Sequence, residues 1–139
     1  MEWALDYLNK PWTKGGRGPD TFDCWGLVYH IYKTHLGILL PSYPNINASN
    51  LRQVRDTITN GALEETWNEL DVPVHCCVVA MSKNTKSLHH VGIYLETDGG
   101  LILHSTPNAC VIAQSERDLK KWGFRRIEYY QFKETLCKR

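Results

Sequence analysis

One thiol in this chain of 139 residues stands where it could act as a nucleophile. In TFDCWGLVYHIY, residues 21–32, Cys24 falls between a glycine-rich loop and an apolar pattern with helical spacing. A helix start gathers unpaired N–H groups and the positive end of the macrodipole. That setting favours a thiolate and can hold an oxyanion. The other reading is packing, since free cysteine behaves as a small hydrophobe. Position alone leaves the two readings even. A nucleophile needs a base, so the histidines bear on the choice.

The six histidines are His30, His35, His75, His89, His90 and His104. His30 and His35 ride on the helix that follows Cys24, His30 at the surface and His35 at the edge of the core. His75 belongs to a loop. In HHVGIYLE, a period of two sets His90, Gly92 and Tyr94 on one strand face, with His89, Val91, Ile93 and Leu95 on the other. Gly92 leaves room for a close approach, for which the helix start carrying Cys24 is a candidate. His104 lies on the next strand, and hairpin register decides its face. A two-residue turn at Asp98–Gly99 would set it opposite Ile93, on the wrong face. Loops of three or five residues set it opposite Tyr94 or Gly92, on the face of His90. Two adjacent glycines suit a bulged, odd-length loop. The expected constellation is Cys24 as nucleophile, His90 as base and His104 as the group that orients the base. Two ordinary strand histidines are the structural alternative.

The elements that must position these residues read as helices followed by strands. A short helix is expected over Glu2–Leu8, ending before Pro11. KGGRGPDT, residues 14–21, demands a loop. Asp23 is a good N-cap for the helix that continues through His35, with Gly37 as its stop. Ser49 could cap a third helix through Thr59. Short β-branched runs then follow at 77–81, 90–96, 101–105 and 109–113. A helix is expected over Ser115–Trp122 and a last strand over 123–132. Helices first and a mainly antiparallel sheet after them make an α+β fold in a single domain.

Composition narrows the partners. A formal net charge of +1 gives no basic footprint for nucleic acid. The N-terminal MEWALDYLNKPW is not a secretory signal, and no run is long enough to span a membrane. Manufacture in a cytoplasm is expected. The five cysteines are odd in number and irregularly spaced, so they suggest neither a disulfide framework nor a zinc knuckle. Cys76 and Cys77 read as structural. His75, Cys76, Cys77, His89 and His90 lack a recognisable metal-ligand spacing. No cofactor is expected.

FDCWGLV at 22–28, HVGIYLE at 90–96 and ILHSTPNACV at 102–111, in that order, resemble the NlpC/P60 family of papain-like cysteine peptidases. The lead-in KPWTKGGRGPDTFDC is similar to the family's approach to its cysteine, and GGRGPD with Trp25 is similar to the bacteriophage tail-associated members. The resemblance implies a papain-like fold, with Cys24, His90 and His104 as the catalytic trio. It places Trp12, Asp23 and Trp25 at substrate-binding positions. It implies hydrolysis of a peptidoglycan stem peptide at the bond between D-glutamate and the diamino acid, or at the muramoyl–L-alanine amide. It also implies phage tail-tip partners and a virion that carries the enzyme to the periplasmic wall. A weakly active tail-assembly protein and a secreted antibacterial effector are the rival roles.

Overall fold

The computed structural model describes residues 2–40, 67–83, 90–107 and 109–132. The helix expected over 49–59, His89 and Cys137 lie outside them. A 3₁₀ helix, Glu2–Tyr7, opens the described chain, and α1 follows over Cys24–Ile31. The Asp23 carboxylate caps α1 by accepting the Gly26 N–H at 2.6 Å. After Ile31 the helix loosens into a π-helical turn, Tyr32–Leu36, and ends at Gly37, whose φ of 67° is left-handed.

Six strands form one antiparallel sheet: β1 (Trp67–Leu70), β2 (Val78–Ser82), β3 (His90–Leu95), β4 (Leu101–Ser105), β5 (Val111–Gln114) and β6 (Arg126–Phe132). Their order across the sheet is β1-β6-β2-β3-β4-β5. A short helix, α2 (Glu116–Lys121), joins β5 to β6 and is capped by Ser115. The fold is therefore α+β. β1 has no counterpart in the sequence reading, because WNEL carries neither alternation nor a β-branched run.

The two sheet faces hold separate cores. On one, Val78, Ala80, Val91, Ile93, Leu95 and Leu103 pack with Trp25, Leu27, Val28 and Ile31 of α1. On the other, Val79, Met81, Ile102 and Tyr129 pack with Leu119 of α2 and with Phe124. Cys76 joins the first core and Cys77 the second, both as buried free thiols.

β3 and β4 pair through Ile93↔Leu103, Tyr94↔Ile102 and Leu95↔Leu101, which leaves the five-residue loop 96–100. That register sets His104 opposite Gly92. A Cβ on Gly92 would stand 2.8 Å from the Leu103 carbonyl oxygen and 3.0 Å from the His104 Cβ. The space over Gly92 is thus taken by the neighbouring strand, and not by the helix start for which the sequence suggested it. Close approach to α1 is made instead at Gly26. A Cβ there would meet the Gly16 carbonyl oxygen at 1.8 Å, and that oxygen is already held by the Asp23 N–H at 3.1 Å.

Gly26→Ala is expected to destabilise the fold by about 1–3 kcal/mol, since neither backbone can yield without breaking the cap. Urea denaturation, read as a lowered midpoint at constant slope, measures it.

Candidate active site

Cys24 is the first residue of α1, and its position follows from what ties down the residues before it. The Phe22 N–H donates to the Pro11 carbonyl at 3.1 Å, and the Asp23 N–H to Gly16. From the sheet, the buried Ser105 hydroxyl donates to the Phe22 carbonyl at 2.9 Å. The loop before the cysteine is therefore fastened to β4 one residue beyond His104.

The helix packs on the sheet face opposite the one that carries His90 and His104. From the sheet, it is the backbone of β3 that reaches the Cys24 thiol. Backbone pairing of β3 with β4 stops at Ile93↔Leu103. Past that point the Val91 N–H is directed at the Cys24 sulfur, as is the N–H of Trp25. The thiol thus lies against the strand at the residue next to His90.

His90 and His104 form a buried pair, with Nε2 of His90 2.8 Å from Nδ1 of His104. Their rings stand edge to face. His104 is fully buried, and its Nε2 lies 2.8 Å from the Oε1 of Gln114 on β5. The Phe124 ring stacks on His90 at 5.7 Å and meets His104 edge-on at 6.4 Å. The Lys83 ammonium sits 5.3 Å from the centre of the Phe124 ring.

The electrostatics oppose the expectation of a lowered thiol pKa. Burial, and then the Asp23 carboxylate, push the Cys24 thiol up to about 12, against the smaller pull of the two N–H groups and Arg17. An eight-residue helix does not offset that burial. His104 is pushed the other way, down to about 4, because burial disfavours its cation more than the Gln114 hydrogen bond favours it.

Of the expected substrate-binding residues, Trp12 is half-buried, and its backbone is held between Phe22 and Ala109, beside the cysteine loop. Asp23 is buried, and the chain itself uses its carboxylate. Oδ1 accepts from Gly26 and from Arg17 at 2.8 Å, and Oδ2 accepts from Gly15 at 3.2 Å. Trp25, the third residue expected at a substrate-binding position, is 1% exposed and packs in the core. Residue 25 is the second of α1, and its side chain turns under the helix into that core.

The helix histidines also differ from expectation. His30 is half-buried and His35 exposed, and both meet the Tyr7 hydroxyl at 2.9 Å. Sequence reasoning passed over Ser105, Gln114 and Phe124. A signal existed for Gln114, since alternation along VIAQ puts it two residues from the strand neighbour of His104. Nothing in the sequence marked Phe124. Among the described residues, no group of three or more His, Cys, Asp or Glu side chains could hold a metal ion.

The fold is shared with solved structures. The NlpC/p60 domain of the peptidoglycan hydrolase SagA superposes with a TM-score of 0.59 at 19% identity, over 91% of this chain and 91% of that one. NlpC2 from Trichomonas vaginalis gives a TM-score of 0.62 at 18% identity, over 94% of this chain and 44% of that one. A lipoprotein-like NLP/P60 protein from Staphylococcus aureus gives 0.56 at 22%, over 92% and 39%. This chain thus spans less than half the length of the last two. No curated protein matches the chain. The model of the NlpC/P60 family matches residues 9–127, from just before the proline–tryptophan lead-in to the start of β6. Because that span takes in most of the chain and all of the site, the protein belongs to the NlpC/P60 family.

Proposed function

We propose that the protein is a cysteine hydrolase that cleaves a peptidoglycan stem peptide, with Cys24 as nucleophile, His90 as general base and His104 as the residue that orients His90. The observation that carries this reading is the thiol at a helix start, set against the strand whose first residue is a histidine hydrogen-bonded to a second, buried histidine. Hydrolases of this family act on peptidoglycan, and the bond between D-glutamate and the diamino acid is the cleavage position the sequence resemblance favours.

The raised thiol pKa gives the mechanism its form. Burial and the Asp23 carboxylate disfavour a resting thiolate at Cys24. The Cys24 proton passes to His90 as sulfur attacks the amide carbonyl. The Cys24 N–H is the helix-start donor for the oxyanion, because the N–H groups of Asp23, Trp25, Gly26 and Leu27 are directed at the Gly16 carbonyl, the Cys24 sulfur, the Asp23 carboxylate and the Asp23 carbonyl. His90 then returns the proton to the leaving amine and takes one from water, whose oxygen releases the acyl group from sulfur. Neutral His104 accepts a hydrogen bond from His90 while His90 is cationic. Trp12 serves as a wall of the cleft. Asp23 acts on the substrate only through the loop that it and Arg17 hold.

Delivery on a phage tail is proposed on the likeness of GGRGPD and Trp25 to tail-associated members, with tail-tip proteins as partners. Among the described residues no helix is long and apolar enough to cross a membrane.

A digest of purified peptidoglycan and defined muropeptides, read by mass spectrometry, tests the activity. Wild type is expected to release stem fragments whose masses name the bond. Cys24→Ala is expected to release none, and His90→Ala to lose activity by a factor of about 10²–10⁴. An undigested wall with wild type overturns the reading. Recovery of the chain from purified virions tests the carrier separately.

The depressed His104 pKa predicts the pH dependence of stability. The unfolded chain takes up the His104 proton near the ordinary 6.5, whereas the folded chain stays neutral down to about 4. The unfolded state therefore binds more protons in that window, and the contribution present above pH 6.5 is lost as pH falls toward 4, amounting to a few kcal/mol, or about 1.4 per unit. Urea midpoints between pH 7 and pH 4 are expected to fall more steeply in wild type than in His104→Asn.

A further inference from the structure

Each neutral imidazole carries one N–H and one lone pair, and the partner of one nitrogen decides the role of the other. Three observations form a single chain. The Gln114 carbonyl oxygen lies 2.8 Å from His104 Nε2, which places the proton on that nitrogen and leaves Nδ1 of His104 as an acceptor. His90 Nε2 lies 2.8 Å from that acceptor, so it must be the N–H. The lone pair of His90 is then on Nδ1, the nitrogen not engaged by His104.

We propose that Gln114 is a positioning residue that sets the proton on both imidazoles and so puts the lone pair of His90, the group a base needs, on Nδ1. The proposal rests on the reading of Cys24 and His90 as nucleophile and base. It concerns ring protonation, however, which is observable without substrate.

The residue type follows from the sheet. Gln114 pairs with Ile102, and Ile112 pairs with His104, so Gln114 stands diagonally from His104 on the same face. Diagonal positions are roughly 7–8 Å apart, which a glutamine spans and an asparagine does not. Burial makes the assignment binding. His104 is fully buried, and Gln114 and His90 are nearly so, with Phe124 laid against both rings. A donor or acceptor left unmatched there costs about 1–3 kcal/mol. Burial also holds His104 neutral down to about pH 4, so its Nδ1 remains an acceptor over the neutral range. Were the amide reversed, its NH₂ would meet a lone pair on Nε2. Every proton would then move one place along, and His90 would carry its N–H on Nδ1, with its lone pair spent on His104.

Long-range ¹H–¹⁵N correlation of the histidine rings at pH 7 tests this in the resting wild-type protein. Protons on Nε2 of both His90 and His104 are expected, and an Nδ1–H tautomer on either ring overturns the proposal. Gln114→Met removes the acceptor at nearly constant volume. It is expected to release His104 from the single tautomer and to slow alkylation of Cys24 by iodoacetamide about ten- to a hundredfold, the range for losing the partner that orients a functional imidazole. Gln114→Glu, which keeps an oxygen at the same reach, is expected to restore the tautomers, and Gln114→Asn is not. Unchanged tautomers and alkylation in Gln114→Met overturn the proposal. Should that variant not fold, the wild-type spectrum and Gln114→Glu still decide. His90→Ala separates the two levels: alkylation equal to wild type removes the base reading and leaves the tautomer assignment standing.

Discussion

The Asp23 carboxylate is the interaction on which the rest depends. It caps α1, receives the Gly15 N–H and pairs with Arg17, all from a buried position. A buried charge is tolerable only when paired and hydrogen-bonded, and removing one partner of such a set costs about 3–5 kcal/mol. The glycine-rich loop supplies those partners, and it approaches the helix closely enough only because residue 26 has no side chain. Helix start, loop and cysteine are therefore one unit. The same carboxylate works against ionisation of its neighbour, so the fold gains a fixed position for Cys24 at the expense of a resting thiolate.

Sheet topology then determines how the parts meet. The helix occupies one face and the two histidines the other. Beyond Ile93↔Leu103 the Val91 N–H turns to the Cys24 sulfur, which sets the thiol beside the strand that carries His90. Ser105 and His104 are adjacent on β4 and point to opposite faces, one fastening the cysteine loop and the other receiving His90. Strand alternation alone thus couples the anchor of the Cys24 loop to the support of His90.

Much of this was legible in the sequence, and the residues explain why. Asp23 as cap, Gly37 as stop and Ser115 as the second cap are local chemistry, readable within four residues. The odd-length hairpin loop followed from period-two arithmetic and two glycines. What escaped depended on distant partners. WNEL forms a strand only because β6 offers it an edge. Gly92 was recognised as making room, but only tertiary packing reveals that β4 fills it. Trp25 looks like a cleft residue by position and becomes a core residue because α1 turns it under. The helix-start argument for a thiolate failed on burial, which sequence does not report. Phe124 carries no local mark at all, since its role depends on where β6 begins relative to β3.

The closed setting of Cys24 has a consequence for durability. Peroxide and disulfide exchange act on thiolates, and they do so at a rate set by thiolate fraction and access. A thiol that is 6% exposed and pushed up to about 12 offers them almost neither. Cys76 and Cys77, the nearest to each other in sequence, are likewise buried, in different cores. Burial thus keeps the Cys24 sulfur in its thiol form and out of reach of oxidants, a protection the fold itself supplies.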